Sequence, residues 1–223
     1  MGKTKFNFIG QVIIATGAAV GIGRGAAQAF AEAGAKAYLL DIDDEKTEKS
    51  AETIRDSGGD ATFIHCDITN SGEVKAVFDR IVSESGRIDV LLNNAGGFDK
   101  QLTVAETDEE EWDQVIGRNL KGVFLCSRAA IPTLMAQKCG RIINMGSVAG
   151  QASVTRSSPP YSAAKAGVHA MTRVMANELG EYNITVNAIA PGTTATDRVV
   201  ALRSEEQRKQ IGALSPLGRI GVV

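Results

Sequence analysis

The 223-residue chain is 43% hydrophobic and 22% charged, with a formal net charge of −2. That balance suits one domain with a sizeable core and provides no basic surface for nucleic acid or an anionic membrane. Three cysteines at unrelated spacings and two histidines argue against a disulfide framework or a metal site and point to a reducing cytoplasm; no apolar stretch approaches the ~20 residues that span a bilayer.

Six short apolar runs read as strands, at 11–16, 36–41, 61–66, 87–94, 141–147 and 184–190. They are apolar almost throughout, as strands covered on both faces are. Longer amphipathic segments between them, at 22–33, 44–57, 71–85, 108–137 and 160–180, read as helices. Strand and helix alternating in this way predict right-handed βαβ units. The expectation is a single α/β domain over 1–223, with a doubly wound, parallel, Rossmann-like sheet. Ligands of such sheets bind beyond the carboxyl ends of the strands, where the strand order reverses. The residues ending each strand are therefore the informative ones.

After the first strand come Gly17, Gly21 and Gly23 in "TGAAVGIG". A glycine turn opening a helix brings backbone N–H groups close to a phosphate, and the helix N-terminus adds positive potential. A second register, Gly21-x-Gly23-x-x-Ala26, also fits a dinucleotide pattern but starts further from the strand. The second strand ends at Asp41, placed to accept from an adenosine ribose and to repel a 2′-phosphate. Val20 in the turn supplies no compensating cation, so NAD is expected over NADP. Asp43 or Asp44 suits the next helix as an N-cap. Further along stand Asp67 after the third strand, "NNAG" (93–96) after the fourth, Ser147 after the fifth and "PG" (191–192) after the sixth. The last helix opens with Pro159 and Pro160, then sets Lys165 one turn beyond Tyr161.

With "TGAAVGIG", "NNAG", Ser147, "YSAAK" (161–165) and "PG" in order, the sequence resembles the short-chain dehydrogenase/reductase family from about residue 10 to 220. The resemblance implies hydride transfer between NAD and a small alcohol or ketone. Tyr161 is then the general acid/base, its pKa lowered by the Lys165 ammonium, with Ser147 donating to the substrate oxygen. Asn119 would hold a water linking the lysine to solvent. The implied cofactor contacts are Gly17, Val20, Gly21, Ile22, Gly23, Asp41, Ile42, Asp67, Ile68, Asn94, Ala95, Gly96, Tyr161, Lys165, Pro191, Gly192 and Thr194. Asn93 would instead brace the sheet. The resemblance also implies a homodimer or homotetramer pairing the helices at 108–137 and 160–180.

A 3-oxoacyl-carrier-protein reductase is an alternative, with Arg128 and Arg173 available to an acidic carrier. A non-catalytic NAD-binding protein is a third reading, opposed by the presence of both Tyr161 and Lys165. His65 reads as a strand residue and His169 as a helix-packing one. The loop at 150–160 is slightly longer than is usual in the family and is expected to line the substrate pocket. The segment at 193–215 is expected to close over that pocket as a lid. The family usually continues through a seventh strand that is absent here, so the sequence is expected to be incomplete and the strand at 184–190 to form an edge.

Overall fold

Strands that are apolar on both faces need a cover on each side, and the chain supplies helices to both. The computed structural model describes residues 6–152 and 157–223. Strands β1 (Val12–Thr16), β2 (Lys36–Asp41), β3 (Asp60–His65), β4 (Val90–Asn93), β5 (Gly140–Met145) and β6 (Ile184–Ile189) form one sheet in the order β3-β2-β1-β4-β5-β6. Every pairing in it is parallel. The order reverses between β1 and β4, the place where sheets of this kind bind their ligands.

Alternation along the strands divides the core into two layers. Val12, Ile14, Tyr38 and Leu40 face one side, where they meet helices α3 (Ser71–Ser85), α5 (Gly122–Gln137) and α6 (Pro159–Leu179). Ile13, Ala15, Ala37 and Leu39 face the other, against α1 (Gly21–Glu32) and α2 (Asp44–Asp56). Each buried Ile or Leu contributes roughly 1.5–3 kcal/mol. The six strands and their order put the predicted strand ends side by side.

The predicted helix over 108–137 is not continuous. Helix α4 (Glu109–Ile116) passes through a π-helical turn at Gly117–Lys121 into α5. Within that turn the Asn119 side chain donates to the Val115 carbonyl oxygen at 2.9 Å and so satisfies a group that the widened turn releases. N-caps set most helix starts: Asp43 for α2, Asn70 for α3 and Asp108 for α4. Helix α1 differs, since Val20 offers no side-chain cap and its first turn holds no acid.

Beyond β6 the chain forms elements that the sequence pattern does not announce. Strand β7 (Thr194–Ala195), helices α7 (Asp197–Leu202) and α8 (Glu205–Ala213), and strand β8 (Gly221–Val222) follow in turn. Strands β7 and β8 pair in parallel as a separate two-stranded ribbon, and β6 is an edge of the main sheet. Among the described residues, no helix is long and apolar enough to cross a membrane, and no cluster of His, Cys, Asp and Glu could hold a metal.

Candidate active site

The carboxyl end of β5 and the segment after β4 meet the first turns of α6. Lys165 is buried there; its ammonium donates to the Met145 carbonyl oxygen at 2.6 Å and lies 5.6 Å from the centre of the Tyr161 ring. Burial pushes the Lys165 pKa down to about 8. Tyr161 is half-buried, and its ring meets Phe98 at a centroid distance of 4.8 Å. Burial raises the Tyr161 phenol above its ordinary range, against the opposing effects of a hydrogen bond with Ser147 and the charge of Arg198. The family resemblance implies a lowered tyrosine pKa; here desolvation outweighs the Ser147 hydrogen bond and the Arg198 charge, so the shift runs upward.

Ser147 follows β5 in extended backbone and caps a 3₁₀ turn, Val148–Gly150, its hydroxyl accepting from the Ala149 N–H at 3.1 Å. That turn lies directly on α6. A Cβ built at Gly150 would come within 2.5 Å of the Lys165 carbonyl carbon, so a residue with a side chain would push the serine and the helix apart. His169, two turns beyond Tyr161, reaches Ser147 as well: its Nε2 donates to the Ser147 carbonyl oxygen at 3.2 Å, with the ring beneath Gly146. In the sequence alone His169 reads as a helix-packing residue. Nothing local signals its partner, because the contact joins residues from two separate elements.

Asn119 faces the same centre from the π turn. Its Oδ1 accepts from the Gly97 N–H, and its Nδ2 donates to the Gly97 carbonyl. Gly96 has φ +153°, and a Cβ there would stand 2.5 Å from Asn119 Oδ1 and 3.3 Å from Lys165 Nζ. Asn93 points into the sheet instead, donating to Ser127 and Asn144.

The glycine turn after β1 resolves the choice of register in favour of the one starting at Gly17. Gly17 and Gly21 both have positive φ, +63° and +61°, and a Cβ on Gly23 would lie 2.4 Å from the Gly17 carbonyl oxygen. Thr16, which sequence reading did not single out, ties this turn to β4: its hydroxyl accepts from the N–H groups of Asn94 and Ala95. The Asn94 amide in turn donates to the carbonyls of Thr16 and Gly17.

At the end of β2, Asp41 accepts from the N–H groups of Ala19, Ile42 and Asp43, which fixes its charge against the glycine turn. Asp43, not Asp44, caps α2. Asp44 pairs with His65 at 2.5 Å, and this raises the histidine pKa. Asp67 accepts from the Thr69 N–H and hydroxyl. The Ile68 side chain is buried against Gly122. Pro191 accepts from the Val148 N–H, and the Thr194 hydroxyl donates to Gly192. The start of α7 lies on the turn: Thr196 packs on Gly21, and Asp197 accepts from the Gly21 N–H at 3.3 Å and pairs with Arg24. Part of the long loop, 153–156, lies outside the described residues.

These residues fit a dinucleotide. A helix N-terminus that its own N-cap residue Val20 does not cap opens from a turn that only glycine can make, an acid ends β2, and a buried ammonium stands beside a tyrosine and a serine.

The short chain dehydrogenase family model matches residues 11–207. A 3-oxoacyl-[acyl-carrier-protein] reductase of Staphylococcus aureus (strain Mu50) is 41% identical over 212 residues, 93% of this chain and 84% of that protein. The 2-dehydro-3-deoxy-D-gluconate 5-dehydrogenase of Escherichia coli (strain K12) is 38% identical over 221 residues, 98% of this chain and 86% of that one. The crystal structure of gox2181 superposes with a TM-score of 0.93 at 30% identity, covering 98% of this chain and 86% of that chain.

Proposed function

This chain belongs to the short-chain dehydrogenase family, and from that premise we propose that it is an NAD-dependent oxidoreductase interconverting a secondary alcohol and a ketone. The observation that carries the reading is the convergence of Ser147, Tyr161 and Lys165 beyond β5, beside a glycine turn built for phosphates. A nicotinamide dinucleotide held there supplies or accepts the hydride. Its phosphates would meet the α1 N-terminus at Gly21, Ile22 and Gly23, and its adenosine would lie toward Asp41, Ile42, Asp67 and Ile68. Ala95, Gly96, Pro191, Gly192 and Thr194 would border the nicotinamide end.

The chain's own residues manage one proton and one developing negative charge. Ser147 donates a hydrogen bond to the substrate oxygen and polarises it. Tyr161 donates its proton to that oxygen during reduction and takes it back during oxidation. The raised Tyr161 pKa keeps the phenol protonated at neutral pH, the state that reduction requires. For oxidation the phenolate must become accessible; moving an ordinary tyrosine from ~10 to ~7 needs about 4 kcal/mol of stabilisation, and the raised Tyr161 needs more. The Lys165 ammonium beside the ring supplies part of it, and Asn119 holds the lysine's surroundings in register. NAD is preferred over NADP because the Asp41 carboxylate is held at the end of β2, where a 2′-phosphate would be repelled.

The second reading is a 3-oxoacyl-carrier-protein reductase, favoured by the 41% identity to such an enzyme and by the exposure of Arg128 and Arg173. A homodimer or homotetramer through the outer faces of α5 and α6 is supported by the exposed Phe124 and Val174. The free thiols of Cys66, Cys126 and Cys139 suit a reducing, cytoplasmic setting.

The test is nicotinamide absorbance with NADH and NADPH against a panel of ketones, secondary alcohols and an acetoacetyl thioester. Tyr161→Phe is expected to cut turnover about 10²–10⁴-fold while NADH still binds. Turnover unchanged by that substitution removes the mechanism, and a preference for the thioester with NADPH selects the second reading.

A further inference from the structure

We propose, resting on the oxidoreductase reading above, that this site takes a substrate carrying a carboxylate, a hydroxy acid or its oxo acid, which Arg198 holds. Arg198 stands in the first turn of α7 and reaches back across the crevice. Its Nη2 donates to the Phe98 carbonyl oxygen and pairs with Asp99 at 2.8 Å. Its Nη1 lies 3.2 Å from where a Gly97 Cβ would stand. The neighbouring Gly96 is the residue whose missing side chain leaves room for Lys165, and the Phe98 ring rests on Tyr161. The guanidinium is thus two residues along the same short segment from the catalytic ammonium. Its charge registers at the Tyr161 phenol.

Charge counting makes this mouth cationic. Asp99 is the acid paired with Arg198, and it is also held by Arg118 at 2.9 Å. Arg118 and then Arg198 keep the Asp99 carboxyl below its ordinary range, so one negative charge is shared between two permanent positive ones. The adjacent acid, Asp197, is turned away toward Gly21 and Arg24. The hydrogen bonds of Arg198 among the described residues use Nη2, leaving Nη1 and Nε as donors on a side chain that is 42% exposed. The Nε of Arg118 is buried without a partner among the described residues.

A neutral alcohol makes no use of this surplus charge. A carboxylate a few carbons from the reacting centre gains charge-assisted hydrogen bonds to the guanidinium while its carbinol carbon stays at Tyr161. Because Arg198 is carried by the segment over the glycine turn, the same contact would draw that segment onto the substrate.

The experiment compares kcat/KM for short hydroxy carboxylates with that for chain-matched neutral secondary alcohols, in the wild type, Arg198→Met and Arg198→Lys. The wild type is expected to favour the acids. The acid-to-neutral ratio is expected to fall at least about tenfold in Arg198→Met and less in Arg198→Lys, which keeps the charge but loses the planar fork. Where the methionine variant does not fold, wild-type inhibition decides: butyrate should compete with a neutral alcohol at constant ionic strength, and butyramide should not. A wild type indifferent to the carboxylate, a ratio unmoved by Arg198→Met, or equal inhibition by butyrate and butyramide overturns the proposal and leaves the oxidoreductase reading standing. No turnover of either class with either dinucleotide overturns that reading, and this proposal with it.

Discussion

Asn119 and Gly97 exchange two hydrogen bonds of 2.8 Å, one in each direction between the side-chain amide and the backbone of the segment after β4. A third, to Val115, anchors the same amide in its own π turn. The asparagine thus clamps the Gly96–Gly97 segment at a fixed distance from Lys165. Replacing it with leucine strands buried backbone groups at about 1–3 kcal/mol in total or more. Asn119→Leu is expected to lower the melting temperature and to reduce kcat more than KM, as read by thermal unfolding and steady-state kinetics. Equal kinetics in a destabilised variant would limit Asn119 to a structural role.

Lys165 links stability to pH. Its folded pKa of about 8 lies below the ordinary 10.5, so between those values the unfolded chain binds more protons than the folded one. Stability therefore rises with pH across that window as the cost of the buried charge is relieved. In Lys165→Met this contribution is absent. The melting-temperature difference, variant minus wild type, is expected to be most positive near pH 7 and to shrink toward pH 10. A difference independent of pH would contradict the depressed pKa.

His169 donates to the Ser147 carbonyl oxygen, and in the proposed reading this would make it a positioning residue and not a catalytic one. Losing its bond to the Ser147 carbonyl costs about 1 kcal/mol, or roughly fivefold in rate if the serine shifts. His169→Leu should show that loss mainly in kcat. His169→Gln, which can still donate, should recover part of it. Identical kinetics in both variants would show that the contact does not orient the serine.

Asp41 holds the glycine turn and, in the proposed reading, would also repel a 2′-phosphate; different substitutions separate the two. Asp41→Asn keeps an oxygen for the Ile42 and Asp43 N–H groups and removes the charge, at the cost of the Ala19 bond, which falls to the amide nitrogen, whereas Asp41→Ala removes the charge and all three bonds. The asparagine variant is expected to raise the NADPH-to-NADH ratio of kcat/KM about tenfold, by relieving roughly 1–2 kcal/mol of repulsion. The alanine variant should also weaken binding of both dinucleotides as the glycine turn loosens. An unchanged ratio in Asp41→Asn would remove charge repulsion as the basis of the preference.

Much of the fold was legible because its signals are local. Val12–Thr16 and its five partner strands are apolar runs bounded by polar helices, and doubly covered strands leave no other pattern. Gly17, Gly21 and Gly23 were legible for a related reason: positive φ and backbone contact at 2.4 Å admit no other residue. The elements after Pro191 were not legible. Two-residue strands have no periodicity to detect, and the pairing of Thr194 with Gly221 joins positions far apart in the chain. The π turn was hidden as well, since the segment at 108–137 keeps a helical pattern and only the Asn119 bond to Val115 marks the break.

The sequence by itself determined the class of sheet, where its strands end, and the one-turn spacing of Tyr161 and Lys165, because each follows from short-range geometry. Tertiary structure alone decided the charge environment of those residues. Tyr161 is raised and Lys165 lowered because burial removes water from both. Asp41 and Asn94 serve the glycine turn, His169 serves Ser147, and Arg198 reaches Asp99 from nearly a hundred residues away. Desolvation and contacts at that separation depend on where the chain packs, and no stretch of sequence records them.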